Sequence, residues 1–262
     1  LKSLSATISG FPEPSYKYYH RPEYAAVRAS VGCPFNCSYC AQQVLTGSHI
    51  QRKSPQIAAE ELVGLVAFGI NNLAFYDDAL LFEAEKFIFP LLHNIIERKL
   101  AVNFHTPTGL NSRYVSLAVA GLLKKSDFVA PRISLETAGP ARQKVTGSKV
   151  ANTEFQAPAE HLRQAGYKAG EYVAYVMLGM SVQELSEVEN TIRHANRCGA
   201  KVSVSEYSSI QGTADWDKVK NTLPSIDSLW YNNSAYPLLG GQGRKKIESV
   251  KQLAKDLNCC FT

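Results

Sequence analysis

Six times along the chain, a short run rich in β-branched and aromatic residues is followed by a stretch with helical patterning. The strand candidates are 25–31, NNLAFYD (71–77), AVNFHT (101–106), VAPRISLE (129–136), EYVAYVMLG (171–179) and KVSVSEYS (201–208). Ser54-Pro55 reads as an N-cap with proline at the first helical position, opening a helix through AAEELVGLVAF that stops near Gly69. Further helices are predicted over 83–99, 112–125, 153–166 and 183–198. Strands alternating with helices of this length imply a parallel sheet. Six such units predict an α/β fold built as a partial (β/α)6 TIM-like barrel, not a flat doubly wound sheet.

The boundaries follow from where this pattern starts and stops. Residues 1–24, rich in Ser, Pro and Tyr, form an extended lead-in, and 25–215 hold the barrel. Residues 216–262 form a surface-wrapping segment and a final helix, GRKKIESVKQLAKDLNCCF. A chain of 262 residues, 45% of them hydrophobic, can bury a sizeable core. At 19% charged it is not of disordered composition. The formal charge of +5 comes without a dense basic tract. Arg244, Lys245 and Lys246 read as a solvated helix start, so charge does not argue for a nucleic-acid partner. No basic start followed by an apolar run opens the chain, and nowhere do about 18 apolar residues run together. Six cysteines in a chain this size are not a disulfide framework, which fits a reducing, cytoplasmic setting.

Three of those six cysteines fall in one short stretch, GCPFNCSYC (32–40), directly after the first strand. In barrels of this kind the chemistry sits at the C-terminal ends of the strands. A lone cysteine is usually a small buried hydrophobe, but Cys33, Cys37 and Cys40 at this density suit a soft metal. Zinc would want a fourth protein ligand, and neither Cys198 nor the adjacent Cys259 and Cys260 completes a common zinc motif. A three-thiolate iron–sulfur cluster leaves one iron open to a substrate or cofactor. Zinc and structural thiols remain as alternatives on spacing alone.

Cys33-x-x-x-Cys37-x-x-Cys40, with Tyr39 before the last cysteine, resembles the signature of the radical S-adenosylmethionine (SAM) superfamily. The segments NLAFYDDALLF, NFHTPTGL, PRISLETAGPARQKVTG and VSVSEYSSIQGT resemble the radical SAM domain of the group that often carries an upstream cobalamin-binding domain. The likeness covers roughly 25–235. It implies that the three thiolates hold a [4Fe–4S] cluster whose open iron chelates the amino and carboxylate groups of SAM. A single-electron donor reduces the cluster, SAM is cleaved to methionine and a 5′-deoxyadenosyl radical, and the radical abstracts hydrogen from a substrate. The protein supplies placement and excludes water.

The same resemblance distributes roles along the strand ends. Tyr39 lies near the adenine. Tyr76, Asp77 and Asp78 meet the SAM amino group or face the substrate. Ser134 and Glu136, on one face by alternation, contact ribose and the methionine part. Arg142 or Lys144 meets the SAM carboxylate, and arginine suits a bidentate contact better. Met177 and Leu178 flank adenine, although Gly179-Met180-Ser181 replaces the Gly-Leu-Pro-Gly-type turn usual there. His105, Glu206 and Tyr207 are substrate-pocket candidates. Each has a plain structural counterpart: packing, a solvated turn, a salt bridge at the barrel mouth. Cobalamin would come from a separate domain or chain, since no such domain is visible before residue 25. The substrate could be a small molecule, a peptide or RNA. A non-catalytic iron–sulfur or zinc-binding assembly protein is the alternative of a different class.

Overall fold

The computed structural model of the chain describes residues 15–20, 22–145, 152–223, 227–231, 234–235 and 239–261. Most of the lead-in and parts of the 216–238 stretch therefore lie outside the described residues. The strands are β1 (Ala25–Val27), β2 (Ser30–Val31), β3 (Gln51–Arg52), β4 (Asn72–Phe75), β5 (Asn103–His105), β6 (Arg132–Glu136), β7 (Val173–Leu178) and β8 (Lys201–Glu206). The helices are α1 (Gln42–Leu45), α2 (Pro55–Ala67), α3 (Ile88–Glu97), α4 (Leu117–Lys125), α5 (Pro140–Val145), α6 (Asn152–Gln164), α7 (Leu185–Arg197), α8 (Ala214–Val219) and α9 (Arg244–Cys259).

The Ser54 cap read in the sequence is present, and a second serine that the sequence reading did not single out caps another helix. Ser54 Oγ accepts from the Ile57 N–H with Pro55 in the first turn, and Ser116 Oγ accepts from Val119 N–H. In β7 the pleat sends Ala174, Val176 and Leu178 outward into full burial, while Val173, Tyr175 and Met177 face inward and are half-buried. Leu185, Val188, Ile192 and Ala195 of α7 form one buried stripe at helical spacing, part of the same continuous core. On the other sheet Phe75, Phe104 and Phe128 pack ring on ring, with centroids 5.1–6.0 Å apart.

The sheets are parallel, in orders β1-β4-β5 and β6-β7-β8. Among the described residues no ladder pairs β5 with β6; the isolated Leu110–Ile133 bridge, and Phe104–Phe128 ahead of β6, lie along this seam. The result is a partial barrel. Its free edges are occupied by side chains. Tyr16 Oη accepts from Ala26 N–H (2.7 Å) and donates to Ala26 O (3.0 Å) beside β1. Asn258 accepts from Val202 N–H (2.7 Å) and donates to Val202 O (2.9 Å) beside β8. Each pair satisfies backbone groups that a further strand would otherwise take.

One expected strand is two. The 25–31 run pairs in parallel only through Val27, and Ser30–Val31 turns to pair antiparallel with Gln51–Arg52. The buried Asp77 carboxylate is the cause: it accepts from Ala29 N–H (3.2 Å) and from Ser30 Oγ (2.5 Å), drawing the chain off the ladder. The expected helices over 83–99 and 112–125 each begin with a separate 3-10 turn, at Ala84–Lys86 and Ser112–Tyr114.

Candidate active site

The cysteine loop leaves β2 through Gly32, whose φ is +94° and where a Cβ would lie 2.1 Å from His49 O. Only glycine fits this crossing. Gln43 Nε2 then holds the loop's shape, donating to Cys33 O and to Phe35 O, both at 2.8 Å. Cys40 N–H closes a turn onto Cys37 O (3.1 Å), and Asp215 N–H holds Ser38 O (2.8 Å). None of the three cysteines is in a disulfide; Cys33 and Cys37 are buried and Cys40 is half-buried.

All three face a cavity of about 450 Å³, together with Tyr39, Asp78, Ser134, Glu136 and Met177. Two sheets contribute. Asp78 follows β4, while Ser134 and Glu136 come from β6 and Met177 from β7. Asp78 accepts from Gln42 Nε2 (2.5 Å), Arg28 Nη2 (3.0 Å) and Gly32 N–H (3.3 Å), so it ties the mouth of the cysteine loop to the second strand of the barrel. Glu136 reaches the cavity with a φ of +66° and a register shift after Ser134, not by simple alternation.

Tyr39 is the cavity's most constrained aromatic. Its ring meets Tyr207 edge-on at 6.1 Å. Its hydroxyl is buried and makes no well-formed hydrogen bond. Burial first, then the nearby Glu136 carboxylate and Cys37, holds its pKa well above the ordinary tyrosine range. Among the described residues no group of three or more His, Cys, Asp or Glu side chains is drawn together at ion-ligating distance. The thiols instead open onto a roomy cavity. Donor chemistry and space both fit a thiolate-held cluster with a small polar cofactor beside it.

Several expected site residues lie elsewhere. Asp77 is buried under the cysteine loop, where it organises Ala29 and Ser30, and its pKa is pushed up to about 6 chiefly by burial. Leu178 points into the outer core. Arg142 is engaged by Glu187 (2.7 Å) and by the carbonyls of Ser181 (2.6 Å) and Val182 (2.8 Å), while Lys144 is exposed. None of these four lines the cavity. Glu206 pairs with Lys251 and accepts from Ala235 N–H (2.9 Å). Tyr207 touches the site through the Tyr39 ring. Tyr76 and His105 line a neighbouring cavity. The residues that spacing did not single out are Gln42, Thr108, Gly109, Asn111, Tyr175 and Ser205. Tyr175 and Ser205 could have been found by extending the strand alternation inward from Met177 and Tyr207.

The sequence pattern of the radical SAM superfamily matches residues 27–195. The chain belongs to the radical SAM superfamily. That places it among iron–sulfur, SAM-dependent proteins as a class. It is 24% identical over 204 residues to an uncharacterized methyltransferase of Pyrococcus horikoshii, covering 75% of this chain and 43% of the relative. It is 23% identical over 140 residues to hopanoid C-2 methylase of Rhodopseudomonas palustris, covering 51% and 26%. The chain thus spans less than half the length of either curated relative. Among solved structures, TsrM of Kitasatospora setae, a radical SAM methyltransferase with cobalamin and a [4Fe–4S] cluster bound, matches with a TM-score of 0.66 and 15% identity over 78% of this chain and 40% of that one. Methylornithine synthase (PylB) matches with a TM-score of 0.58 and 13% identity over 88% and 61%. These two likenesses are of fold. No helix among the described residues is long and apolar enough to cross a membrane.

Proposed function

We propose that this chain binds a [4Fe–4S] cluster through Cys33, Cys37 and Cys40, and SAM beside it, to initiate radical chemistry on a substrate. When bound and reduced, the cluster supplies the electron that splits SAM to a 5′-deoxyadenosyl radical. The observation that carries the reading is the convergence of three cysteines, Tyr39, Asp78, Ser134, Glu136 and Met177 on one cavity from two sheets. Gln43 and Gly32 keep the thiol-bearing loop in one shape. Glu136 and Ser134 offer acceptors for hydroxyls or an ammonium group. Tyr39 offers a ring for stacking and a buried hydroxyl close to Glu136 and Cys37. Met177 and Tyr175 provide apolar surface that keeps water from a reactive intermediate.

Methyl transfer with cobalamin, carried by a separate domain or chain, is the second reading. It is favoured by the names of the two curated relatives, a methyltransferase and a methylase. Copurifying or added corrinoid that survives gel filtration would support it. The primary test is anaerobic reconstitution with iron and sulfide, then reductant and SAM, with 5′-deoxyadenosine quantified against a Cys37→Ala control. Deoxyadenosine from the parent alone is expected. A parent that takes up zinc in preference to iron and sulfide refutes the reading and favours a metal-binding assembly role.

A further inference from the structure

Below the cysteine-lined cavity, on the same inward face of the barrel, lies a second cavity of about 350 Å³. It sits where β5 and β6 fail to form a ladder, and it shares Pro107 with the first. Arg132 precedes Ser134 by two residues on β6, so the pleat puts both on the inward face. The closed core of a complete barrel is apolar and packed. Here the inward positions Asn72, His105, Arg132 and Tyr175 are polar and none is fully buried.

Arg132, itself exposed, lines this second cavity. Its Nη1 donates to Tyr175 Oη (2.8 Å), which in turn donates to Pro107 O (2.6 Å). Its guanidinium also lies over the Tyr175 ring, 5.6 Å from the centroid. Thr106 Oγ1 fixes the Arg132 backbone by accepting its N–H (3.0 Å). No carboxylate pairs with Arg132 among the described residues, and one of its five N–H donors is committed. The cavity wall adds His105, Asn72, Tyr76 and Tyr24, with no acid among the described lining residues; Asp127 and Glu171 line a separate cavity. His105 Nε2 stands 3.3 Å from Asn72 Oδ1. The backbone is strained at the rim, where Ala130 holds a φ of +45°. A fixed, unpaired guanidinium fork beside an imidazole, with no neighbouring acid, is a receptor for an anion.

We infer that the Arg132 cavity takes a carboxylate or phosphate group of the substrate, whose reacting end extends past Pro107 into the cavity lined by the three cysteines. The word substrate rests on the radical SAM reading; the anion site itself does not. Arg132 and His105 give charge recognition, and Tyr175, which lines the cysteine cavity and accepts from Arg132, together with Pro107, shared by the two cavities, sets the distance between the anionic end and the site of chemistry.

The test uses the reconstituted protein with inorganic phosphate in one arm and acetate in the other, read by calorimetry and by the His105 imidazole resonances. Saturable binding in at least one arm is expected, and the tighter arm identifies the group. His105, now held low by burial and by Arg132, should titrate higher when the anion is bound. Arg132→Gln should weaken binding by about tenfold or more and abolish the His105 response. Arg132→Lys should fall between, since it keeps charge without the fork. Tyr175→Phe, which leaves the arginine in place and removes its anchor, guards against a folding defect in the first variant. No saturable binding in either arm, or binding equal in parent and all three variants, overturns the inference. Anion binding that persists without any deoxyadenosine formation would count against the catalytic reading alone.

Discussion

Replacing Gly32 by alanine should cost far more than the same change at Gly47, though both lie in the cysteine-loop hairpin with positive φ. At +94° and +77° each position disfavours an L residue, worth about 1–2 kcal/mol. The difference is steric. A Cβ on Gly47 meets nothing within 4 Å, whereas one on Gly32 would lie 2.1 Å from His49 O and 3.0 Å from His49 C. The backbone of 49–50 would have to retreat by roughly 1 Å, against the antiparallel pairing of Val31 with Gln51. Overpacking against an immovable partner costs about 1–3 kcal/mol more. Gly32→Ala should therefore lose about 3 kcal/mol or more, and Gly47→Ala about 1 kcal/mol. Gly32 N–H also donates to Asp78, so the shift would propagate to the cavity wall and lower cluster uptake. Urea denaturation of both variants, with iron and acid-labile sulfide counted after reconstitution, reads both consequences. Equal destabilisation of the two, or full cluster content in Gly32→Ala, would refute the reasoning.

Two other perturbations test the framework around the site. Asp77 titrates at about 6 in the folded chain against 3.8 ordinarily, so the folded state holds the proton to higher pH. Its contribution to stability is present at low pH and is lost as pH rises from about 4 to about 6, by up to about 3 kcal/mol. Asp77→Asn should remove that slope; parallel urea-stability profiles for the two proteins across this window would overturn the assignment. Arg142→Ala breaks a largely buried pair with Glu187 and two carbonyl bonds at the turn after β7. It should cost about 2–3 kcal/mol with little change in SAM affinity. Unchanged stability with lost SAM binding would restore the cofactor role that the sequence suggested for it.

The strand–helix alternation, the open-barrel class and the three clustered thiols were legible in the sequence because each rests on local pattern. Period-two and period-3.6 burial identify strands and helices without knowledge of neighbours, and a cysteine spacing is visible as text. Ser134, Glu136, Tyr39 and Asp78, named from the family resemblance, line the cavity where the strand ends and the cysteine loop converge. What the sequence left undivided were adjacent residues, which it named together. Asp77 and Asp78 look alike in sequence, yet one is buried among Ala29 and Ser30 and the other lines the cavity. Met177 and Leu178 are both apolar, yet the pleat sends one inward and the other into the outer core. Arg142 is suited to a carboxylate by its chemistry, and the nearest one came from Glu187, 45 residues away. The kinds of element and the metal-binding chemistry thus follow from short-range sequence. Which member of each pair serves the site, and the existence of the Arg132 cavity at the unpaired seam, were decided by tertiary packing, because only it settles which polar groups find a partner and which are left facing open space.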